Sequence, residues 1–287
     1  MSNPAGSGNF SERAASWFCA HRRQWPWRWV GQLSYLVWRA YENRNFDLQS
    51  NGEEWYLRQL GQRSGEVRCV FDVGANVGDW LLLCRRYSPQ AVVHAFEIAP
   101  PTYEKLQKNT VHLPDVIRNP MGVSDKNAEI EIFYSPIEDG LTTAFKEHLA
   151  DEYRMVGQKP VHPQSIQAKV IRGDDYVREH GIQKIDILKI DVEGMEEAVL
   201  RGFQECFAQQ RIRLVQFEYN TTNIISKFLL RDAHQFFSRF GYRLGKLYPN
   251  YVDFRNYHYR QEDFCGPNLI AIRRQDTEWF KLLAPES

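Results

Sequence analysis

The sequence predicts an α/β protein: a doubly wound, mostly parallel sheet of seven strands with an antiparallel edge strand, preceded by an N-terminal helical arm. Three observations predict it. Strand-like and helix-like patterns alternate from residue 53 onward. The strands are continuously apolar, as in parallel sheets covered on both faces. The first of them runs straight into the glycine turn "CVFDVGANVGDW".

In chain order, the first dozen residues are rich in Ser, Gly and Asn and are expected to be disordered. "SWFCAHRRQWPWRWVGQLSYLVWRAY" then holds five of the eight tryptophans, Trp17, Trp25, Trp27, Trp29 and Trp38. The spacing of Val30, Leu33, Val37 and Tyr41 predicts a helix over 28–43. This arm, residues 1–50, is expected to pack on the following domain or on a second subunit, because "ENRNFDLQSNGEE" dilutes its basic face. The other reading is a peripheral membrane contact, aromatics at headgroup depth and arginines toward anionic lipid.

The main domain is expected over 51–275, with 276–287 as a tail. A helix over 53–63 turns Leu57 and Leu60 inward. Strand and helix then alternate: strands over 67–73 and 92–97, helices over 79–87 and 101–109. A strand over 116–123 and a polar strand over 129–134 follow, and 135–165 lacks any long period. A helix over 174–180 precedes the strand "KIDILKID". Then come a helix over 195–203, the strand "RLVQFEYN", a helix over 232–240 and closing strands over 242–247 and 268–273.

Composition narrows the function. Lysine plus arginine equals aspartate plus glutamate at 36 each, so no nucleic-acid partner is expected. Cys19, Cys69, Cys84, Cys206 and Cys265 form no CxxC pair and read as free thiols in a reducing compartment. With no secretory h-region and no apolar run long enough to span a bilayer, a cytoplasmic protein is expected.

The glycine turn is where a ligand would bind, outside the carboxyl ends of the strands, as in Rossmann-like sheets. Gly74 permits the tight turn, Gly78 keeps side chains clear of a ligand or of the helix packing, and Asp79 is placed to cap the next helix. Glu97 ends the second strand 25 residues after Asp72, where a carboxylate can accept two ribose hydroxyls. The loop is GxxxG rather than GxGxxG, and Asp72 beside it would repel a pyrophosphate but suit an ammonium group. An adenosine carrying an amino acid meets both demands, as S-adenosylmethionine does. In "IDILKIDVEGMEEAVLRGF", Lys189 lies inside an apolar strand and must be paired; Asp191, or an acid at a neighbouring strand tip, can compensate it. Asp191 and Glu193 stand at that strand's end, facing the same crevice.

"NGEEWYLRQL", "VFDVGANVGDW", "AFEIAPPTYEKLQKN", "LKIDVEGMEEAVLRGF", "FEYN" and "FGYRL…NLIAIRR" together resemble the FkbM family of class I S-adenosylmethionine-dependent O-methyltransferases. The resemblance spans roughly residues 45–275. It implies that Asp72, Gly74, Asn76 and Gly78 line the methionine end of the cofactor and that Glu97 binds the ribose. Ser124 and Asp125, in "MGVSDKN", would contact adenine, and Asp191 would sit near the sulfonium and the acceptor. The segment from Leu141 to Ala144, with Thr142 and Thr143, would approach the acceptor.

Methyl transfer to oxygen needs alignment of the acceptor and a group that takes its proton. Asp191 and Glu193 are the expected catalytic residues, with His148 a third candidate. No metal is assigned. A divalent ion on Asp191, Glu218 and Asn220 is the alternative, set against Glu218 merely balancing Lys189. The acceptor is expected to be a hydroxyl on a sugar, glycan or secondary metabolite. The rival functions are a non-catalytic partner with a retained fold and a dinucleotide-dependent oxidoreductase.

Overall fold

The structure is a computed structural model that describes residues 10–63, 65–134, 142–146, 164–266 and 268–284. Two compact units divide the chain, residues 1–44 and 45–287. The first holds helices α1 (Phe10–His21) and α2 (Trp27–Tyr41), neither with a buried residue. They meet where Trp17 and Phe18 set their rings edge-on to Trp27, at 5.0 and 5.2 Å between centroids. Residues 10–12, expected to be disordered, thus open a helix, with Glu12 in its first turn and His21 in its last, as the helix dipole favours. Among the described residues, no helix is long and apolar enough to cross a membrane.

In the second unit, α3 (Glu53–Gly61) precedes β1 (Cys69–Val73), α4 (Asp79–Tyr87), β2 (Val92–Phe96), α5 (Pro100–Thr110) and β3 (Val116–Asn119). The strand expected over 116–123 is two strands. Pro120 cannot donate to a ladder, and after it β4 (Gly122–Ser124) leaves for another sheet. There β4 joins β7 (Gln164–Arg172), β5 (Ala128–Tyr134) and β6 (Thr142–Thr143), in the order β4-β7-β5-β6. The chain continues through α6 (Gly173–Glu179), β8 (Ile185–Ile190), α7 (Glu196–Gly202), α8 (Gln204–Ala208), β9 (Ile212–Glu218) and α9 (Thr222–Ser226). It closes with α10 (Leu230–Arg239), β10 (Tyr242–Tyr248), β11 (Tyr251–Asp253), β12 (Asn268–Arg273) and α11 (Thr277–Leu283).

The large sheet runs β11-β10-β12-β9-β8-β1-β2-β3, parallel from β9 to β3. The α/β doubly wound class is therefore as expected, with two differences in the sheet. It has eight strands rather than seven, because β11 folds back on β10 as a hairpin. The antiparallel strand, β12, lies inside the sheet between β9 and β10 rather than at its edge.

Pleat parity divides the core. Val70, Val93, Ile187 and Leu214 face α3 and α4, where Tyr56, Leu57, Trp80 and Leu81 cover them. Phe71, Leu188 and Val215 face the opposite way, under α6, α7 and α10. Residues 276–287, expected as a tail, include α11, whose Trp279 and Leu283 are fully buried. The Arg213 guanidinium lies 3.8 Å from the Trp279 ring centroid, and the indole N–H donates to Glu66 at 2.8 Å.

Candidate active site

Three strand ends, β1, β2 and β8, meet at one cleft of about 250 Å³. Gly74 turns the chain out of β1 with φ +81°, and a Cβ there would lie 1.7 Å from the backbone oxygen of Asp191. That turn is pressed onto the tip of β8, and only glycine fits. Next in the loop, Asn76 also has positive φ, and its backbone N–H donates to Glu97 Oε2 at 2.9 Å. The N–H of Ala99 donates to the other carboxylate oxygen at 2.8 Å. Glu97 is thus clamped at the end of β2, and burial pushes its pKa up to about 7 although both N–H groups oppose the shift. Ser124, from β4, is buried at the same cleft.

The cleft gathers Gly74, Asn76, Glu97, Ser124, Asp191 and Glu193, as expected. Three expected cofactor residues stand elsewhere. Asp72 is fully buried in β1, on the α3 and α4 side of the sheet, and does not line the cleft. Its carboxylate lies 3.3 Å from Lys189 Nζ. Gly78 also lies outside the lining: a Cβ there would come within 3.0 Å of Leu106, so it lets α4 pack on α5. Asp125 is exposed outside the cleft and accepts the Ser124 hydroxyl at 3.3 Å. Nor does Asp79 cap α4: Gly78 holds the N-cap position, and no side-chain capping bond is present.

Lys189 is compensated twice, by Asp72 and by Asp191 Oδ2 at 3.2 Å, and it donates to the Gly74 carbonyl at 3.3 Å. Burial works against its charge, yet the two carboxylates raise its pKa overall. Burial conversely pushes Asp72 up to about 6, against the pull of Lys189. Glu218 does not balance Lys189. Its carboxylate accepts the Asn220 amide at 2.7 Å and faces Asp191 and Glu193, with oxygens of all three within 4.8 Å of one another. Burial and those two neighbours hold its pKa well above the usual carboxylate range. These three carboxylates are the residues that could ligate a divalent cation. Asn220 stands beside them: its amide donates to Glu218 and its oxygen accepts the Thr222 N–H at 2.8 Å.

Thr143 closes one side. Its hydroxyl donates to the Glu193 carbonyl at 2.8 Å and accepts the Phe145 N–H at 3.1 Å. Thr142, Thr143 and Ala144 line the cleft; Leu141, His148 and most of 135–165 lie outside the described residues.

Behind the site, beyond the expected pairing of Lys189, a polar network takes in Gln216, Glu53 and Asn268, three residues not anticipated from the sequence. Asp72, Lys189 and Gln216 stand side by side on β1, β8 and β9, facing α3 and α4. Gln216 donates to Glu53 at 2.6 Å and to Asn268 at 2.8 Å, and accepts from Trp80 at 3.1 Å and from the Tyr56 hydroxyl. Glu53 also accepts from Asn51 at 2.7 Å and Asn268 at 2.9 Å. The signal for it was the lone glutamine within "RLVQFEYN" and the acids of "NGEE".

A family model described as the methyltransferase FkbM domain matches residues 72–244, a stretch that includes the glycine turn, Glu97 and the three clustered carboxylates. The FkbM protein of Streptomyces tacrolimicus, a 31-O-demethyl-FK506 methyltransferase, is 34% identical over 169 residues, 52% of this chain and 64% of that one. The hexuronic acid methyltransferase AglP of Haloferax volcanii is 29% identical over 190 residues, 66% of this chain and 69% of that one. A Beauveria bassiana protein named Methyltransferase 1 is 29% identical over 147 residues, 47% of this chain and 58% of that one. The chain thus spans 58 to 69% of the length of these relatives. With a match over more than half its length and the strand-end residues in place, this chain belongs to the FkbM methyltransferase family.

Proposed function

We propose that this chain transfers a methyl group from S-adenosylmethionine to a hydroxyl on a sugar, glycan or related small metabolite. The observation that carries this reading is one cleft with a clamped carboxylate, Glu97, at one end and the Asp191, Glu193 and Glu218 carboxylates at the other. The names of two relatives, a hexuronic acid methyltransferase and a 31-O-demethyl-FK506 methyltransferase, support a hydroxyl on a sugar or small metabolite as the acceptor.

The residues fit the cofactor. Each Glu97 oxygen uses one lone pair on a backbone N–H and keeps another for a ribose hydroxyl. The side-chain oxygen of Asn76 is buried with no hydrogen-bond partner among the described residues, an acceptor suited to an ammonium group. Ile98, Val123, Ile130 and Val170 offer an apolar slot beside Ser124 for a purine. When bound, the cofactor supplies a methyl group activated on a sulfonium. Asp191 or Glu193 takes the acceptor's proton, and Lys189 holds Asp191 in place through its 3.2 Å contact.

Calorimetry tests the assignment. S-adenosylmethionine and its demethylated product should bind and NAD should not; NAD binding in their stead overturns the proposal. Glu97→Ala should weaken cofactor binding by about 1.5–3 kcal/mol, as for a lost hydrogen bond to a charged group.

A further inference from the structure

We propose that helices α1 and α2 dock this protein on an anionic lipid surface, with α2 lying flat in the headgroup region. In α2 the helical period places Arg28, Gln32, Tyr35 and Arg39 in one stripe, and Arg39 lies 5.5 Å from the Tyr35 ring centroid. The remaining arc is apolar and open to solvent: Trp29 and Leu33 are each 62% exposed, Leu36 58% and Val37 59%. Large apolar side chains that a helix leaves uncovered along one arc mark a docking face.

Length and charge select the occupant. Fifteen residues make a helix about 22 Å long, shorter than the roughly 30 Å hydrocarbon core, so α2 cannot span and lies in the interface. Residues 10–44 carry six arginines against two glutamates, a net charge of +4 within a chain of net charge zero. A second copy seated on this face would bring like charges together, whereas anionic headgroups neutralise them. Trp25, 77% exposed beside Arg22 and Arg23 at the corner between the helices, has the amphipathic ring that settles at headgroup depth.

Sedimentation of the full chain with vesicles tests this. Vesicles of phosphatidylcholine mixed with phosphatidylglycerol should pellet the protein, and phosphatidylcholine alone should pellet much less. Raising salt from about 0.1 M to about 1 M shortens the screening length from about 10 Å to about 3 Å and should weaken binding at least ~10-fold. The pair Leu33→Glu and Leu36→Glu should abolish pelleting at low salt with helical content by circular dichroism unchanged. Arg28→Gln with Arg39→Gln should reduce the dependence on anionic lipid while leaving aromatic insertion, read by quenching with brominated lipid. A protein that stays in the supernatant at every composition overturns the proposal. So does pelleting that ignores the Leu33 and Leu36 changes. A wild-type dimer that those changes dissociate, without vesicle binding, assigns the face to a second copy instead.

Discussion

A carboxyl group removed from water with too few donors holds its proton more tightly. Glu196, outside the cleft lining, is one such group. It is 1% exposed; one oxygen accepts the Gly194 N–H at 3.1 Å and the other has no partner among the described residues. Burial pushes its pKa from 4.5 up to about 7. The folded state therefore binds more protons than the unfolded state between those two values, and stability falls as pH rises through that window. Glu196→Gln keeps the bond to Gly194 and removes the titration. It should stabilise the protein at pH about 8 by an amount on the order of 1–3 kcal/mol, with little effect near pH 4. Urea titrations at both pH values check this; destabilisation at the higher pH would count against it. For the chemistry, Asp191→Asn or Glu193→Gln should lower turnover about 100-fold to 10,000-fold, with cofactor affinity changed much less. With Asp191 or Glu193 taking the acceptor's proton and no metal assigned, EDTA should leave turnover unchanged. Loss of activity in EDTA, with recovery on adding magnesium, would reassign Asp191, Glu193 and Glu218 to a bound cation.

Among the elements, α3 is fastened to the sheet by Tyr56, Leu57 and Leu60 in the core and by polar groups at its start. Glu53 accepts from Asn51, Gln216 and Asn268, and Gln216 in turn ties in Tyr56 and Trp80. A buried network is worth having only when every member is satisfied. Glu53→Ala strands three amide donors in the interior and should cost about 3 kcal/mol or more, seen as a lower urea midpoint. Near wild-type stability would mean that water replaces the carboxylate. Elements also decide where the cleft is open. Because Thr143 bonds the Glu193 carbonyl and Phe145 sits over Gly194, β6 braces the tip of β8 from the second sheet.

At the scale of the molecule, the second unit closes its core with its last helix. Trp279 is fully buried against the α3 and α4 side, so Trp279→Ala should cost about 3–5 kcal/mol. The loss should appear together in near-ultraviolet circular dichroism and in cofactor binding, as expected of one cooperative unit. A chain that loses less than about 1 kcal/mol would show α11 to be an appendage. The first unit contributes no buried apolar residue among those described, so its helices owe little to a core of their own.

Much of this was legible in the residues alone. Continuous apolar strands announced a parallel sheet with two covered faces; the GxxxG turn and Glu97 announced the cleft; an interior lysine required acids beside it, and Asp72 and Asp191 are those acids. These are local demands, met within a strand and its turn, so a sequence states them directly. Tertiary structure alone decided the rest. Asp72 went to the α3 side because the pleat of β1 points it there, though nothing in "VFDVG" says which face opens to a ligand. β7 was missed because its polar, exposed alternation becomes a strand only by pairing with β5 and with β4. Glu218 joined Asp191 and Glu193, and Gln216 joined Glu53 across 163 positions, because β8, β9 and α3 are neighbours in space. Side-chain periodicity encodes which groups must be buried; only the packing of distant elements chooses the partners that satisfy them.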